Sequence, residues 1–347
     1  RIDFSNDAKG ALLLEPTRSN LLPYSEDFSN VAWTKSSNTE ISANATTSPD
    51  GTQNADTITW STSGSTTQLY HVKSVTGTSQ SLSIFIKYIS GSGTNFLFSI
   101  GSAVEKGINL TFTNNGAALT GVAGVDVTSY KIEDYGNNWF RVSFAANFST
   151  SNCEFNVYRT SGTGTDVYAI YGAQLESSAS YPTSYIPTQG SAVTRVADAC
   201  TNGGNEQVIN STEGVLYGEV KYPSNDIGSG KYSPISITGG STNFVTFRHQ
   251  GGVNNRLSIF IYVNNVEKFV VLTTAYDLNN YVKIAVLYSS SGSKVFINGT
   301  VAYTDAINSS FPINTLTEVE GFQGGDYFKG NVKDVRVYNT ALTDAEL

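Results

Sequence analysis

Within RLSIFIYVNNVEKFVVLTT, residues 256–274, RLSIFIYV (256–263) and KFVVLTT (268–274) read as two short strands. Each half is an apolar, β-branched and aromatic run too short for a helix, and the break between them carries turn residues. The same unit recurs along the chain. SLSIFIKYIS (81–90), NFLFSI (95–100), WFRVSFAANF (139–148), CEFNVYR (153–159) and VYAIYGAQLE (167–176) are of this kind. So are GVLYGEVKY (214–222), NFVTFRH (243–249), YVKIAVLYS (281–289), KVFINGTVAYT (294–304) and GNVKDVRVYN (330–339). Many short strands with turn signals between them predict a sandwich or barrel. Alternation from Lys294 to Tyr303 predicts one face in a core and one in water. Helical spacing is confined to Thr343–Leu347, where Thr343 is placed to cap one turn.

Composition narrows the function classes. The 347 residues suffice for about two domains. A chain of this size folds without disulfide or metal staples. Lys and Arg number 21 against 29 Asp and Glu, and no basic run stands out. That balance disfavours nucleic acid and anionic membrane as partners. Charged residues make up only 14%, so 42 Ser and 38 Thr supply most of the polar surface. No apolar run reaches the length of a membrane span. Cys153 and Cys200 allow at most one bridge. The chain opens Arg1-Ile2-Asp3-Phe4 and contains no Met, which reads as a fragment or processed product.

The segment ADACTNGGNEQVINSTEG (197–214) has weak periodicity and many turn residues, and marks the expected boundary. The expected organisation is a first module over 1–198, a linker over 199–212 and a second module over 213–347. The fold class expected is all-β, two antiparallel β-sandwiches in tandem.

Two sets of motifs resemble known families. GALLLEPTRSNLLPYSEDFSNVAWTK (10–35), SPDGTQNADTI (48–58), YGNNWFRVSF (135–144) and YAIYGAQLESSASYPTSYIPTQGSAVTRVAD (168–198) form the first. Together they resemble a jelly-roll module of phage tail, spike and fibre proteins, distantly similar to jelly-roll carbohydrate-binding modules. The second set is EGVLYGEVKY, YVKIAVLYSSSGSKVFINGTVAYT and the closing FKGNVKDVRVYNTALTDAEL (328–347). It resembles the laminin-G-like, concanavalin A-like lectin and glucanase fold. The resemblance implies a non-catalytic adhesion component of a phage or prophage fibre, exposed on the virion surface or outside the cell. Its implied partners are a host-surface polysaccharide or glycan, other virion proteins and further copies of itself in a trimer. A polysaccharide-degrading enzyme, an accessory module of one and a structural virion decoration are the alternatives.

Acid–base machinery is scarce. The two histidines, His71 and His249, fall in different expected modules, and neither lies in a nucleophile-elbow pattern. Glycoside hydrolysis needs paired carboxylates. Glu318 and Glu320 in TEVEGF, and Glu213 with Glu219, are the pairs available. Sugar binding asks only for exposed rings beside polar side chains. Trp33 and Trp139 sit inside the motifs and read as packing residues. Trp60 ends DTITW before the polar loop STSGSTTQ, which makes it a candidate platform, with Tyr70 and His71 after the loop. Tyr158 and Arg159 precede TSGTGTD, and Arg248 with His249 precede GGVNNR. These are the remaining ligand candidates. Calcium is the cofactor the resemblance implies, with Asp27 in SEDFSN and Asp50 in SPDGTQNAD as candidate ligands. Ser29 stands where such relatives commonly carry Glu, and Asp50-Gly51 is also a turn dipeptide.

Overall fold

The computed structural model describes residues 2–3, 8–61, 67–94, 96–101, 106–148, 151–159, 164–222, 231–250, 256–273, 276, 280–321 and 330–347. The loops following Trp60, Arg159 and Gln250, which the sequence marks as ligand edges, lie largely outside these residues. Among the described residues every strand pairing is antiparallel, and helical structure is confined to 3₁₀ turns such as Asn114–Gly116. No described helix is long and apolar enough to cross a membrane. The chain is all-β.

It divides into two compact units. One is Arg18–Arg195; the other joins Arg1–Thr17 to Val196–Leu347. The boundary therefore differs from a simple tandem. Residues 1–17 do not open the first module: the strand Ala11–Leu14 pairs with the closing strand Gly330–Tyr338, Leu13 opposite Asn331. Nor is 199–212 a free linker. Ile209 is buried in the second core, and the Ser211 hydroxyl accepts hydrogen bonds from the amides of Thr315 and Leu316. Backbone bonds between Gly203 and Val319 and from Gly321 to Cys200 O add to these, so a stretch with no strand periodicity is docked along its length.

The first unit is a sandwich. Among its described residues one sheet runs, in spatial order, Ala118–Ala123, Gly107–Thr113, Phe96–Ile100, Asn152–Arg159, Gln68–Ser74, Thr34–Lys35. The other runs Val127–Asp134, Phe140–Asn147, Ser79–Ser90, Asp166–Ser177, Ala55–Trp60, Thr39–Thr46. Alternate residues of both fill one core, including Phe98, Phe144 and Phe155. The extended exit around 181–188 lies on the outer face of the second sheet. Arg141 donates to Thr183 O at 2.6 Å, and Glu176 accepts the Thr183 amide at 2.8 Å. Tyr185 packs there with Phe85, Tyr171 and Trp139. Gly172 makes this close approach workable: its φ is +62°, and an added Cβ would meet the Phe85 ring at 2.9 Å.

Several expected ligand residues belong to this core. Trp60 is fully buried between Phe96 and Tyr168, so it is a packing residue and not a platform. The alternating apolar residues of its own strand carry it inward. Tyr158 is buried too. Arg159 is wholly buried and bonds Asp166 at 2.6 Å and Gly164 O at 3.0 Å. Asp166 also accepts the Ser92 amide, so the pair ties two turns to the sheet. Cys153 is buried and Cys200 exposed, and both are free thiols.

The second unit is a sandwich of different shape. Among the described residues its larger sheet runs Ile2–Asp3, Ala11–Leu14, Gly330–Tyr338, Gly214–Lys221, Val282–Ser289, Gly292–Ile297, Thr300–Asp305. The smaller runs Val266–Leu272, Arg256–Val263, Phe244–Gln250, Lys231–Thr238, Glu318–Glu320. The expected half-wet strand at 294–303 is more deeply covered. Val295 and Ile297 enter the core, while Phe296 packs on the other face with Val215, Leu287 and the tail residues Leu342 and Leu347. The tail closes in one turn, where Glu346 accepts both the amide and the hydroxyl of Thr343. His249 is 1% exposed, and neither ring nitrogen has a hydrogen-bond partner among the described residues. It is a core histidine whose ring lies 5.2 Å from that of Tyr222 at a tilt of 39°, not a ligand.

Arg159→Ala leaves Asp166 charged and buried, and is expected to cost the first unit about 3–5 kcal/mol. The double change Arg159→Met with Asp166→Leu is expected to recover most of that, read from urea midpoints. Burial lowers the His249 pKa to about 4 from 6.5. Above pH 6.5 the group is neutral folded or unfolded. Below it only the unfolded chain gains the proton, so stability falls by up to about 1.4 kcal/mol per pH unit as pH drops toward 4. His249→Phe is expected to remove that part of the decline in thermal melts.

Candidate functional site

On the strand Arg256–Val263, Leu257, Ile259 and Ile261 point into the second core. Alternation sends Arg256, Ser258, Phe260 and Tyr262 to the opposite face. The neighbouring strand repeats this: Val245, Phe247 and His249 go in, and Phe244, Thr246 and Arg248 go out. Directly paired residues share a face. Phe244 lies opposite Tyr262, Thr246 opposite Phe260 and Arg248 opposite Ser258. The result is a strip of partly exposed rings. Phe244 and Tyr262 stack at 5.0 Å with 15° between planes, and Phe260 follows at 6.2 Å. The Arg248 guanidinium lies 4.1 Å from the Phe260 ring centre. Val270, 39% exposed, lies opposite Phe260 on the next strand and widens the strip.

Polar groups frame the rings. Glu267 accepts the Tyr262 hydroxyl at 3.0 Å and raises its pKa. The hairpin that brings Glu267 back turns on Asn264 and Asn265, with φ of 52° and 61°. Two adjacent left-handed residues are what a tight two-residue turn requires. Glu320 lies opposite Ser236 and Glu318 opposite Thr238, so both carboxylates share the outward face of this sheet. Rings with one guanidinium and nearby carboxylates can stack on the apolar face of a sugar and orient its hydroxyls.

Of the expected ligand residues, Arg248 alone reaches this strip. Its neighbour His249 could not have accompanied it, because adjacent strand residues leave on opposite faces. Tyr70 and His71 are half-buried in the first unit. The His71 ring sits 2.8 Å from Ala32 O and edge-on to Trp33 at 5.7 Å, where it holds the 24–35 loop. Trp33 and Trp139 are buried, each donating its indole N–H to a backbone carbonyl, of Tyr24 and Thr47.

The first unit carries an acidic cleft of about 590 Å³ lined by Tyr24, Glu26, Asp27, Asn54, Asp56 and Gln189 among others. Asp56 accepts the amides of Phe28 and Asn44 at 2.8 Å each, and burial raises its pKa against those bonds. Each of the two calcium candidates is hydrogen-bonded within its own turn. Asp27 bonds the Ser29 hydroxyl and the Asn30 amide of its own turn. Asp50 accepts bonds from Ser48, Thr52 and Tyr171. Burial opposes its ionisation, but those bonds together hold it well below the usual carboxylate range. Among the described residues no group of three or more His, Cys, Asp or Glu is placed to hold a metal ion.

Residues 222–347 match the family model described as the concanavalin A-like lectin/glucanases superfamily, so this part of the second unit is a domain of that kind. No curated protein matches the chain in sequence. Solved structures with similar features include a native heptameric SAP-like pentraxin from Limulus polyphemus, at 15% identity and a TM-score of 0.35, covering 43% of this chain and 72% of that one. Mouse laminin alpha1 domains LG4-5 match at 10% identity and 0.29, covering 77% and 85%. Sheep galectin-11 matches at 10% identity and 0.28, covering 40% and 96%.

Proposed function

We propose that the chain is a non-catalytic adhesion component of a phage or prophage tail, spike or fibre, and that it binds glycan on the host surface. The observation that carries the glycan reading is the ring strip Phe244–Tyr262–Phe260, set outward on a sheet of the lectin-like domain with Arg248 across it. Partly exposed rings that join neither core are costly unless something covers them. The phage assignment rests on the motifs of residues 10–198 and on the order of the modules. In this reading the protein works at the virion surface as a homotrimer beside other virion proteins. Each shallow site binds weakly, and repeated copies raise avidity by orders of magnitude.

A second reading has one observation behind it. Glu318 and Glu320 lie on the same sheet face as the rings, the arrangement a polysaccharide-degrading enzyme needs for its carboxylates. Binding to a polysaccharide panel, measured with and without EDTA beside reducing-sugar release, separates the readings. The expected result is binding without sugar release, weakened about tenfold or more by Phe260→Ala. Trp60→Gly would perturb only stability. Binding lost in EDTA assigns the contact to a calcium site involving Asp27 or Asp50 instead of the ring strip. Sustained sugar release overturns the non-catalytic reading. Absence of binding to every polysaccharide leaves a structural virion decoration.

A further inference from the structure

The ring strip is not electrically uniform. Arg256 lies opposite Gln250 on the same outward face as Phe260 and Tyr262. Arg248, opposite Ser258, is therefore its diagonal neighbour across two strands, at about 7 Å between Cβ atoms. By register both arginines stand at one end of the strip, and the Arg248 guanidinium reaches over Phe260. The Arg256 Nε is buried without a hydrogen-bond partner among the described residues. Two carboxylates stand at the other end, where Glu318, Thr238, Phe244, Tyr262 and Glu267 form one transverse row, while Glu320 lies at the sheet edge in the row of Phe260. A neutral chain would gain nothing from this separation. An anionic one would be held in a single direction.

We infer that this face takes an acidic polysaccharide, a uronate-containing chain whose pyranose rings lie on Phe260 and Tyr262 and whose carboxylate meets Arg248 and Arg256. The inference rests on the glycan reading above and names the substrate class of the same site. A guanidinium presents a planar fork that matches a carboxylate in two parallel hydrogen bonds. The Arg248 guanidinium is held over one face of the Phe260 ring, 4.1 Å from its centre, where it is fixed beside whatever lies on the rest of the strip. The whole chain has a formal charge of −8, so it repels a polyanion at long range. That repulsion is screened beyond about 8 Å at physiological salt, and what remains is the local pair of arginines. Contact is thus selective for a chain that reaches the strip, unlike a basic patch that collects any polyanion.

Isothermal titration of the full chain with polygalacturonate, the same polymer carboxyl-reduced, a neutral β-glucan and heparin tests this. Polygalacturonate is expected to bind best, with affinity falling as salt rises. Arg256→Gln is expected to lower that affinity about ten- to a hundredfold and to leave neutral-glucan binding unchanged. Lys131→Gln, which removes an exposed cation from the first unit, controls for net charge. Circular dichroism confirms that each variant is folded, and Arg248→Lys, which keeps the charge but loses the fork, is expected to weaken binding as well. Equal binding of the reduced polymer, or tighter binding of heparin, overturns the carboxylate assignment while the ring strip stands. Loss of all binding in Phe260→Ala, together with indifference to both arginine changes, does the same. Failure of every polymer to bind overturns both readings. A stable dimer by sedimentation that Phe260→Glu disperses shows that a second copy occupies the face, and it too overturns the inference.

Discussion

Successive side chains of an extended strand leave on opposite faces of its sheet, and the second unit depends on this constraint throughout. On Phe244–Gln250 it sends Val245, Phe247 and His249 to the core and Phe244, Thr246 and Arg248 away from it. A shift of one residue would exchange the two sets, burying a guanidinium and exposing a phenyl ring and an imidazole. The inward set secures the register by its burial. The outward set is then placed without further instruction, so the geometry of the ring strip is a by-product of packing on its far side. The Asn264-Asn265 turn fixes the remaining register by joining the strands in two residues.

In the first unit the constraint is met by polar groups as much as by rings. Arg159 with Asp166, Arg141 with Thr183, and Glu176 with Ser81 and Thr183 are all buried and bonded. Each is tolerable only because its partners are in place. Together they attach loops and the exit segment to the sheets, work that a chain with few apolar loop residues cannot assign to hydrophobic contact.

The all-β class was legible because short apolar runs and turn residues alternate along the sequence; the more polar strands, such as Thr39–Thr46 and Val127–Asp134, carry too few apolar residues to stand out. Burial of Trp33 and Trp139 was legible from their place within the motifs. Trp60 misled because a ring at a strand end beside a polar loop looks exposed, while its strand's alternation pointed it inward to Phe96 and Tyr168. The same alternation held the missed signal. In RLSIFIYV the rings Phe260 and Tyr262 are out of phase with Ile259 and Ile261, and in NFVTFRH Phe244 is out of phase with Val245 and Phe247. Rings on the polar phase of two adjacent strands must share an outward face. What no local pattern could reveal was pairing across the chain, such as Ala11–Leu14 against Gly330–Tyr338.

That long-range pair imposes an order on synthesis. Leu13 leaves the ribosome about 320 residues before its partner Asn331. At roughly 5–20 residues per second, the wait is about 15–60 s. In that interval Arg18–Arg195 is complete, while the apolar Leu12-Leu13-Leu14 segment has only the short strand Ile2–Asp3 to pair with. Only the strand Gly330–Tyr338 relieves this exposure, so a chain cut before it would keep a sticky edge at Ala11–Leu14.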